Sequence, residues 1–482
     1  MAIPFALLVA LIAGQDSAAP PEFKEVRERI QEAVRAGQAP SLALAVVRDA
    51  KVVWAEGFGV ADLESKTPAT ADSVYLLASV SKPLTATGLM VLKDRGLVDL
   101  DAPANRYLGE AKLRAFVGTA DEMTLRRLAN HTAGMPLHWN FFYEGTSPPS
   151  MDETIRRYGF AAWAPGDEWA YSNLAFGILD YVTERVSKSP WREFMGKNVY
   201  DPLKMTRTSD RVRPGLEPHA TAQYDPDKAG RFVRVRPYRF DHAGASAVWS
   251  SANDLARFMI AHLQDGAIDG VRVLSEESTR EMRKQTSRRA DGGGSGVGWA
   301  VGPFAGQPSF SHGGGMPGVT TFVAGFPDGK NALIVLSNRS GAAIVHDVAR
   351  RLGRILYPDP RPDPASPRPS ADKKEGSVAG TWKGKVAHFA GDIPLALTIA
   401  EGGQATAQWK ERPAALRQPS IRPGHFSAEI EGDLSTGTGF AGTPALRLQL
   451  RREGERLTGV LMAQAPSNFC LSSWVELRRS GD

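Results

Sequence analysis

The sequence predicts an α/β (α+β) architecture: an antiparallel sheet flanked by helices, with a helical insert, followed by a small all-β C-terminal domain. Three observations carry this expectation. Two hairpin patterns stand far apart in the chain, amphipathic stripes bracket them, and a proline-rich stretch separates them from a tail of short alternating segments.

Taken in order, Val26, Ile30, Ala33 and Val34 form one apolar helical stripe that stops at Gly37. Residues 42–47 and 52–58 then read as strands around Arg48-Asp49-Ala50-Lys51. The second hairpin joins 320–326 to 332–336 through Pro327-Asp328-Gly329-Lys330-Asn331, residues that a tight turn requires. A further helical stripe follows, carrying Val345, Val348, Leu352 and Ile355. The simplest arrangement puts both hairpins in one sheet covered by the terminal helices. The middle, about residues 80–300, becomes a mainly helical insert.

Six prolines between Pro358 and Pro369, set among Asp, Arg and Ser, predict an extended linker over 358–375. Beyond it, Gly380-Thr381-Trp382-Lys383-Gly384, the alternation of 395–399 and the run 446–450 predict short strands, so 376–482 reads as a small β-sandwich or barrel. Residues 20–357 form the expected main domain, able to fold without the tail. Met1 to about Ala19 contains the apolar run 5–13, of signal-peptide length and short for a membrane span, so export to the periplasm or medium is expected.

The bulk composition narrows the classes. Of 482 residues, 42% are hydrophobic and 23% charged, as in an ordinary globular protein. A net charge of +5 without a concentrated Lys/Arg tract gives no reason to expect a nucleic-acid partner. The single cysteine, Cys470, excludes an intrachain disulfide and a cysteine-cluster metal site, and the nine histidines show no metal-ligand spacing.

Three fragments carry chemistry. The first is Ser79-Val80-Ser81-Lys82, between an extended segment (74–77) and an apolar helical run ending near Gly96. If the helix opens at Ser79, Lys82 lies one turn on and its amine can approach the serine hydroxyl. Pro83 agrees with a first turn. A serine hydroxyl needs such a base, and a lysine serves only if its pKa is lowered. Taken alone, the tetrapeptide reads first as a helix cap followed by a surface lysine. The second fragment, Tyr171-Ser172-Asn173, follows the turn Pro165-Gly166-Asp167 and opens a helix; a buried tyrosine with a capping asparagine is its plain alternative. The third, His312-Gly313-Gly314-Gly315, precedes the second hairpin, where glycines admit a substrate close to the backbone. Two matches to G-x-G-x-x-G, at Gly313 and Gly437, lack the strand-then-helix setting of a dinucleotide site. His131 reads as a structural loop residue, and no G-x-S-x-G elbow occurs.

In this order and separation, Ser79-x-x-Lys82, Tyr171-x-Asn173 and His312-x-Gly314 resemble the penicillin-binding-protein-like serine hydrolases: class C β-lactamases, D-alanyl-D-alanine carboxypeptidases, D-aminopeptidases and β-lactamase-like carboxylesterases. Leu128-Ala129-Asn130-His131-Thr132-Ala133-Gly134, Pro165-Gly166, Pro202-Leu203-Lys204-Met205 and Gly298-Trp299 resemble the same family, over about 25–357. The resemblance implies a serine β-lactamase-like domain in which Ser79 is acylated and Lys82 accepts its proton. Tyr171 would act as general base or relay, while Asn173 would orient Lys82 and touch the acyl group. The N–H groups of Ser79 and Gly315 would form the oxyanion hole beside Gly314. No metal or cofactor is implied. His312 stands where β-lactamases usually carry lysine, which shifts the expectation toward small esters. D-amino-acid peptides and β-lactams are the alternatives, and a silent cell-wall-peptide-binding or scaffold protein is the rival from another class. No role for the tail is legible.

Overall fold

The structure is a computed structural model that describes residues 19–289, 292–359, 376–438 and 442–480. The expected leader, Ala19 apart, and residues 360–375 of the expected linker lie outside the described residues.

Backbone contacts divide the described chain into two compact units that do not follow chain order. One holds the described parts of 19–99, 182–237 and 243–359, the other those of 100–181, 238–242 and 376–480. The predicted division near 357 follows the chain instead; the contacts group the first part of the insert with the C-terminal strands.

In the first unit the two predicted hairpins share one antiparallel sheet. Ser41–Arg48 pairs with Lys51–Asp62 on one side and with Asn331–Ser337 on the other. Val319–Phe326 and Gln307–Met316 continue the sheet, with Ala300–Phe304 beyond them. The first hairpin turns through Asp49 and Ala50, both at positive φ, as a two-residue connection between twisted strands requires. Helices Lys24–Arg35 and Ala343–Leu356 lay Val26, Ile30, Val345, Val348 and Leu352 onto Leu42, Leu44, Val46, Leu333 and Val335, a core closed by Trp54 stacked on Phe23.

In the second unit nine antiparallel strands between Gly380 and Arg479 form one strongly curled sheet. Its two end strands, Arg412–Ala414 and Leu416–Arg422, are consecutive in the chain, so the sheet comes close to barrel closure. Alternate residues such as Leu395, Leu397, Leu448 and Leu450 are buried while their neighbours face water. The insert strand Trp139–Tyr143 also joins this sheet, pairing Asn140 with Phe469 and Trp139 with Cys470. Among the described residues no helix is long and apolar enough to cross a membrane.

Candidate active site

Ser79 sits in a short 3-10 turn, Ala78–Val80, that runs directly into the helix Ser81–Asp94. The α-helix therefore begins two residues later than the spacing suggested, and Pro83 is accommodated in its first turn. Ala78 adopts φ +51° although it has a β-carbon, a conformation costing roughly 1–2 kcal/mol. Burial holds it there: residues 73–78 and 80–92 are all buried, and Ser79 alone in that run is partly open.

Lys82 is fully buried, and its Nζ lies 3.0 Å from Ser79 Oγ and 3.1 Å from the Ala245 carbonyl, to which it donates. Burial pushes the amine well below the ordinary lysine value, as a proton acceptor for serine requires. In the neutral form one N–H binds Ala245 O, and the lone pair can take the hydroxyl proton. The Ala245 carbonyl is itself held by the helix. Thr85 Oγ1 donates to Gly244 O at 2.7 Å, and Ser81 Oγ accepts from Val248 N–H at 3.0 Å. Ser81 is thus an anchor for the segment facing Lys82; four residues of sequence around Ser79 held no sign of that.

Strand Gln307–Met316 brings the third fragment to the same place. A β-carbon on Gly314 would lie 2.2 Å from Thr321 Oγ1 and 2.3 Å from Leu77 O, so only glycine lets the strand press against the turn. Thr321 Oγ1 donates to that same Leu77 carbonyl at 2.7 Å. A β-carbon on Gly315 would meet no atom within 4 Å. Ala300–Phe304 pairs only as far as Ser311, so among the described residues His312 to Met316 have a strand partner on one side alone. His312 Nδ1 faces Gly313 O at 2.8 Å and therefore carries the ring proton, leaving Nε2 as an acceptor. Burial first, then the charges of Lys82 and Arg289, push this imidazole down from its usual range; the ring itself is half-buried rather than sealed. Neutral imidazole is the form expected near pH 7. Behind the helix, Gly298 at φ +81° lets its backbone approach Ala86, and the neighbouring Trp299 packs on Phe310.

Tyr171 and Asn173 belong to the second unit. Asn173 opens the helix Asn173–Ser187, with Tyr171 just outside it. The 130–134 loop builds their support. His131, at φ +64°, accepts from Ser172 N–H on Nδ1 at 3.3 Å, and its carbonyl accepts from Ala170 N–H at 2.8 Å. Its ring lies 4.4 Å from that of Tyr171. The Thr132 carbonyl accepts from Gly166 N–H at 2.7 Å, which explains physically why the Asn-His-Thr and Pro-Gly text accompanies the tyrosine. Asn173 Nδ2 donates to the His138 carbonyl at 2.7 Å.

His138 leads to a network that the sequence did not disclose. Asp241, buried, faces His138 Nε2 at 3.1 Å through both oxygens, His242 Nδ1 at 2.7 Å, and Asn140 Nδ2 at 3.3 Å. Burial works against the carboxylate charge, but the two imidazoles outweigh it and hold the group below the usual range. His138, Asp241 and His242 bring possible metal donors within 4.8 Å of one another. Their spacings are those of hydrogen bonds, and among the described residues His138 Nδ1 finds no acceptor of the kind that ligating histidines normally hold. The arrangement is a buried clamp on the loop that carries the His138 carbonyl.

A nucleophile–lysine pair and a glycine-lined strand in one unit, with a supported Tyr-x-Asn in the other, agree with a family profile described as Beta-lactamase, which matches residues 26–356. The chain belongs to the beta-lactamase family. Penicillin-binding protein 4* of Bacillus subtilis (strain 168) is 25% identical over 350 residues, 68% of this chain and 74% of its own. Esterase EstB of Burkholderia gladioli is 30% identical over 254 residues, 45% of this chain and 64% of its own. A beta-lactamase of Escherichia coli (strain K12) is 29% identical over 251 residues, 51% and 63% respectively. The solved octameric penicillin-binding protein homologue from Pyrococcus abyssi shares the fold at TM-score 0.61 and 22% identity, over 93% of this chain and 99% of that one. This member of the beta-lactamase family is a serine hydrolase.

Proposed function

We propose that this hydrolase cleaves small, uncharged esters through an acyl-enzyme on Ser79. Ser79 Oγ attacks the ester carbonyl carbon while its proton passes to Lys82 Nζ. The N–H groups of Ser79 and Gly315 receive the oxyanion, and the C–O bond to the alcohol breaks as the alcohol takes up the proton. Water, deprotonated through Tyr171, then attacks the acyl carbon; the acid leaves and Ser79 regains its hydrogen. Asn173 positions the acyl group and the amine. None of these steps calls for a metal or cofactor.

The observation that carries the ester preference is His312. A neutral, half-buried imidazole offers no fixed positive charge for the carboxylate of a β-lactam or a peptide C-terminus, whereas its Nε2 can accept from a neutral substrate. That a relative is named an esterase accords with this. A second reading, a D-amino-acid peptidase or D,D-carboxypeptidase, draws on the open strand edge at 312–316, along which a peptide backbone could align. We place the working enzyme outside the cytoplasm, on the strength of the apolar run at 5–13.

Kinetics on a p-nitrophenyl ester, a chromogenic cephalosporin and a D-alanyl peptide, side by side, test the reading. Turnover of the ester should exceed the others by at least about tenfold in kcat/KM. A D-alanyl peptide cleaved fastest would transfer the assignment to the peptidase. Labelling by a fluorophosphonate should vanish in Ser79→Ala, and a chain that forms no covalent adduct with any acyl donor would be a binding protein instead.

A further inference from the structure

The C-terminal sheet has no part in the chemistry as written above, yet it grips the loop on which Asn173 depends. We propose that this sheet is a working part of the hydrolytic site: it fixes the Asn173 side chain by immobilising the carbonyl of His138. The inference rests on the reading that Asn173 acts on the acyl group.

The contacts lie within one compact unit and fall on four residues that flank His138: Leu137, Trp139, Asn140 and Phe141. Leu137 is pinned first, its carbonyl accepting from Ser472 Oγ at 3.2 Å. Trp139 is pinned next, paired in register with Cys470, and Asn140 with Phe469. Phe141 N–H then donates to Asn468 O at 2.7 Å. The His138 carbonyl, which accepts from Asn173 Nδ2 at 2.7 Å, is thus bracketed on both sides by residues tied to the strand Phe469–Arg479. The His138 ring is held separately by Asp241, which also draws in Asn140 Nδ2. A peptide group fixed at both flanks and through its own side chain has little freedom to rotate. Its carbonyl direction, and hence the amide orientation of Asn173, is set by the sheet.

Apolar packing makes the attachment more than a few hydrogen bonds. Phe160 and Ala162 share a buried cluster with Val460, Met462, Cys470 and Trp474, against which Leu137, Trp139 and Trp163 also pack. Phe116 stacks flat on Trp474, with ring centres 5.0 Å apart and 3° between planes. Closer to the tyrosine, Arg451 of the sheet meets Glu168 at 2.5 Å, three residues before Tyr171. A detachable binding module would instead present a polar face to this region and be joined by a linker alone. Here the cluster that buries the sheet's residues also buries those on either side of the Asn-His-Thr loop.

The decisive experiment is a double-mutant cycle in the full-length chain, with Ser472→Ala and Asn173→Ala, read as kcat and KM on a p-nitrophenyl ester after thermal unfolding has shown the variants folded. Removing one hydroxyl, Ser472→Ala should lower kcat about three- to tenfold with KM within about twofold. In the Asn173→Ala background the same substitution should cost less than about twofold, because its effect passes through the side chain already removed. An unchanged kcat in folded Ser472→Ala, or losses that multiply in the double variant, would overturn the proposal. The acyl-enzyme reading is judged separately by labelling of Ser79, so either can fail while the other stands.

Discussion

Gly314 and Leu77 are in such close apposition that a β-carbon on the glycine would stand 2.3 Å from the leucine carbonyl oxygen. The contact joins the strand of the third motif to the turn that presents Ser79, and it decides what each can tolerate. Gly314→Ala should therefore push the Leu77–Ala78 backbone out of place. We expect a loss of ester turnover of at least about a hundredfold, with about 1–3 kcal/mol of destabilisation in urea unfolding. Alanine at Gly315, whose β-carbon would meet nothing within 4 Å, should leave stability within about 0.5 kcal/mol. Equal stability losses in both variants would contradict the close-packing account.

Lys82→Ala and Tyr171→Phe should each lose about a thousandfold or more in kcat while melting as the native chain does. Lys82→Arg should be as inactive as the alanine variant, because a guanidinium keeps its proton where a buried amine can release one. Rates near the native value in any of the three would assign proton transfer elsewhere.

The protonation of His312 has a readable signature. With the imidazole pushed down by burial and by Lys82, kcat/KM between pH 5 and 8 should show no histidine inflection near 6.5. His312→Lys should raise the rate on a carboxylate-bearing cephalosporin relative to a neutral ester by about tenfold. A second ammonium would also disfavour protonation of Lys82, so any acid limb belonging to that amine should move to lower pH. An inflection near 6.5 that disappears in His312→Asn would show the ring to be charged in use.

His262 gives a stability prediction of fixed sign. It is buried among Phe258, Trp299 and Phe310, touches Thr87 Oγ1 at 3.3 Å, and its own carbonyl accepts from Arg283. Burial first, then the Arg283 charge, push its pKa down to about 3. The unfolded chain takes up this proton near pH 6.5 and the folded chain does not. The stability this histidine contributes is thus present above 6.5 and is lost, by about 1.4 kcal/mol per unit, as pH falls from there toward 3. Unfolding free energies of His262→Leu should lose less over pH 6.5–4.5 than those of the native chain. Identical slopes would mean that other groups govern acid sensitivity.

What could be read ahead of the structure was whatever is written locally. Both hairpins announced themselves by alternation and turn residues, and the terminal helices by stripes that meet Leu44 and Val335 in the core. The Ser79–Lys82 pair was legible because one helical turn fixes the approach. Ser81 was not: its partner Val248 lies 167 positions away. The Asp241 clamp joins residues 103 apart, a distance over which no periodicity speaks. Likewise Trp139–Tyr143 has the composition of a strand, but nothing nearby says that it pairs with Phe469–Arg479, more than 300 positions on.

That last pairing has a consequence for synthesis. The Asn140–Phe469 partnership spans 329 positions, and the loop it holds is made long before its partner exists. A nascent chain that has released Asn173 but not yet Phe469 must leave Trp139 and Leu137 without their native cover. Closing so large a loop is slow compared with forming a local hairpin. The Ser79 turn likewise waits for Thr321 before its backbone is fixed. On the proposal that the sheet positions Asn173, a ribosome-bound chain still lacking the strand Phe469–Arg479 is expected to be inactive, so hydrolytic competence comes after the rest of the fold has been made.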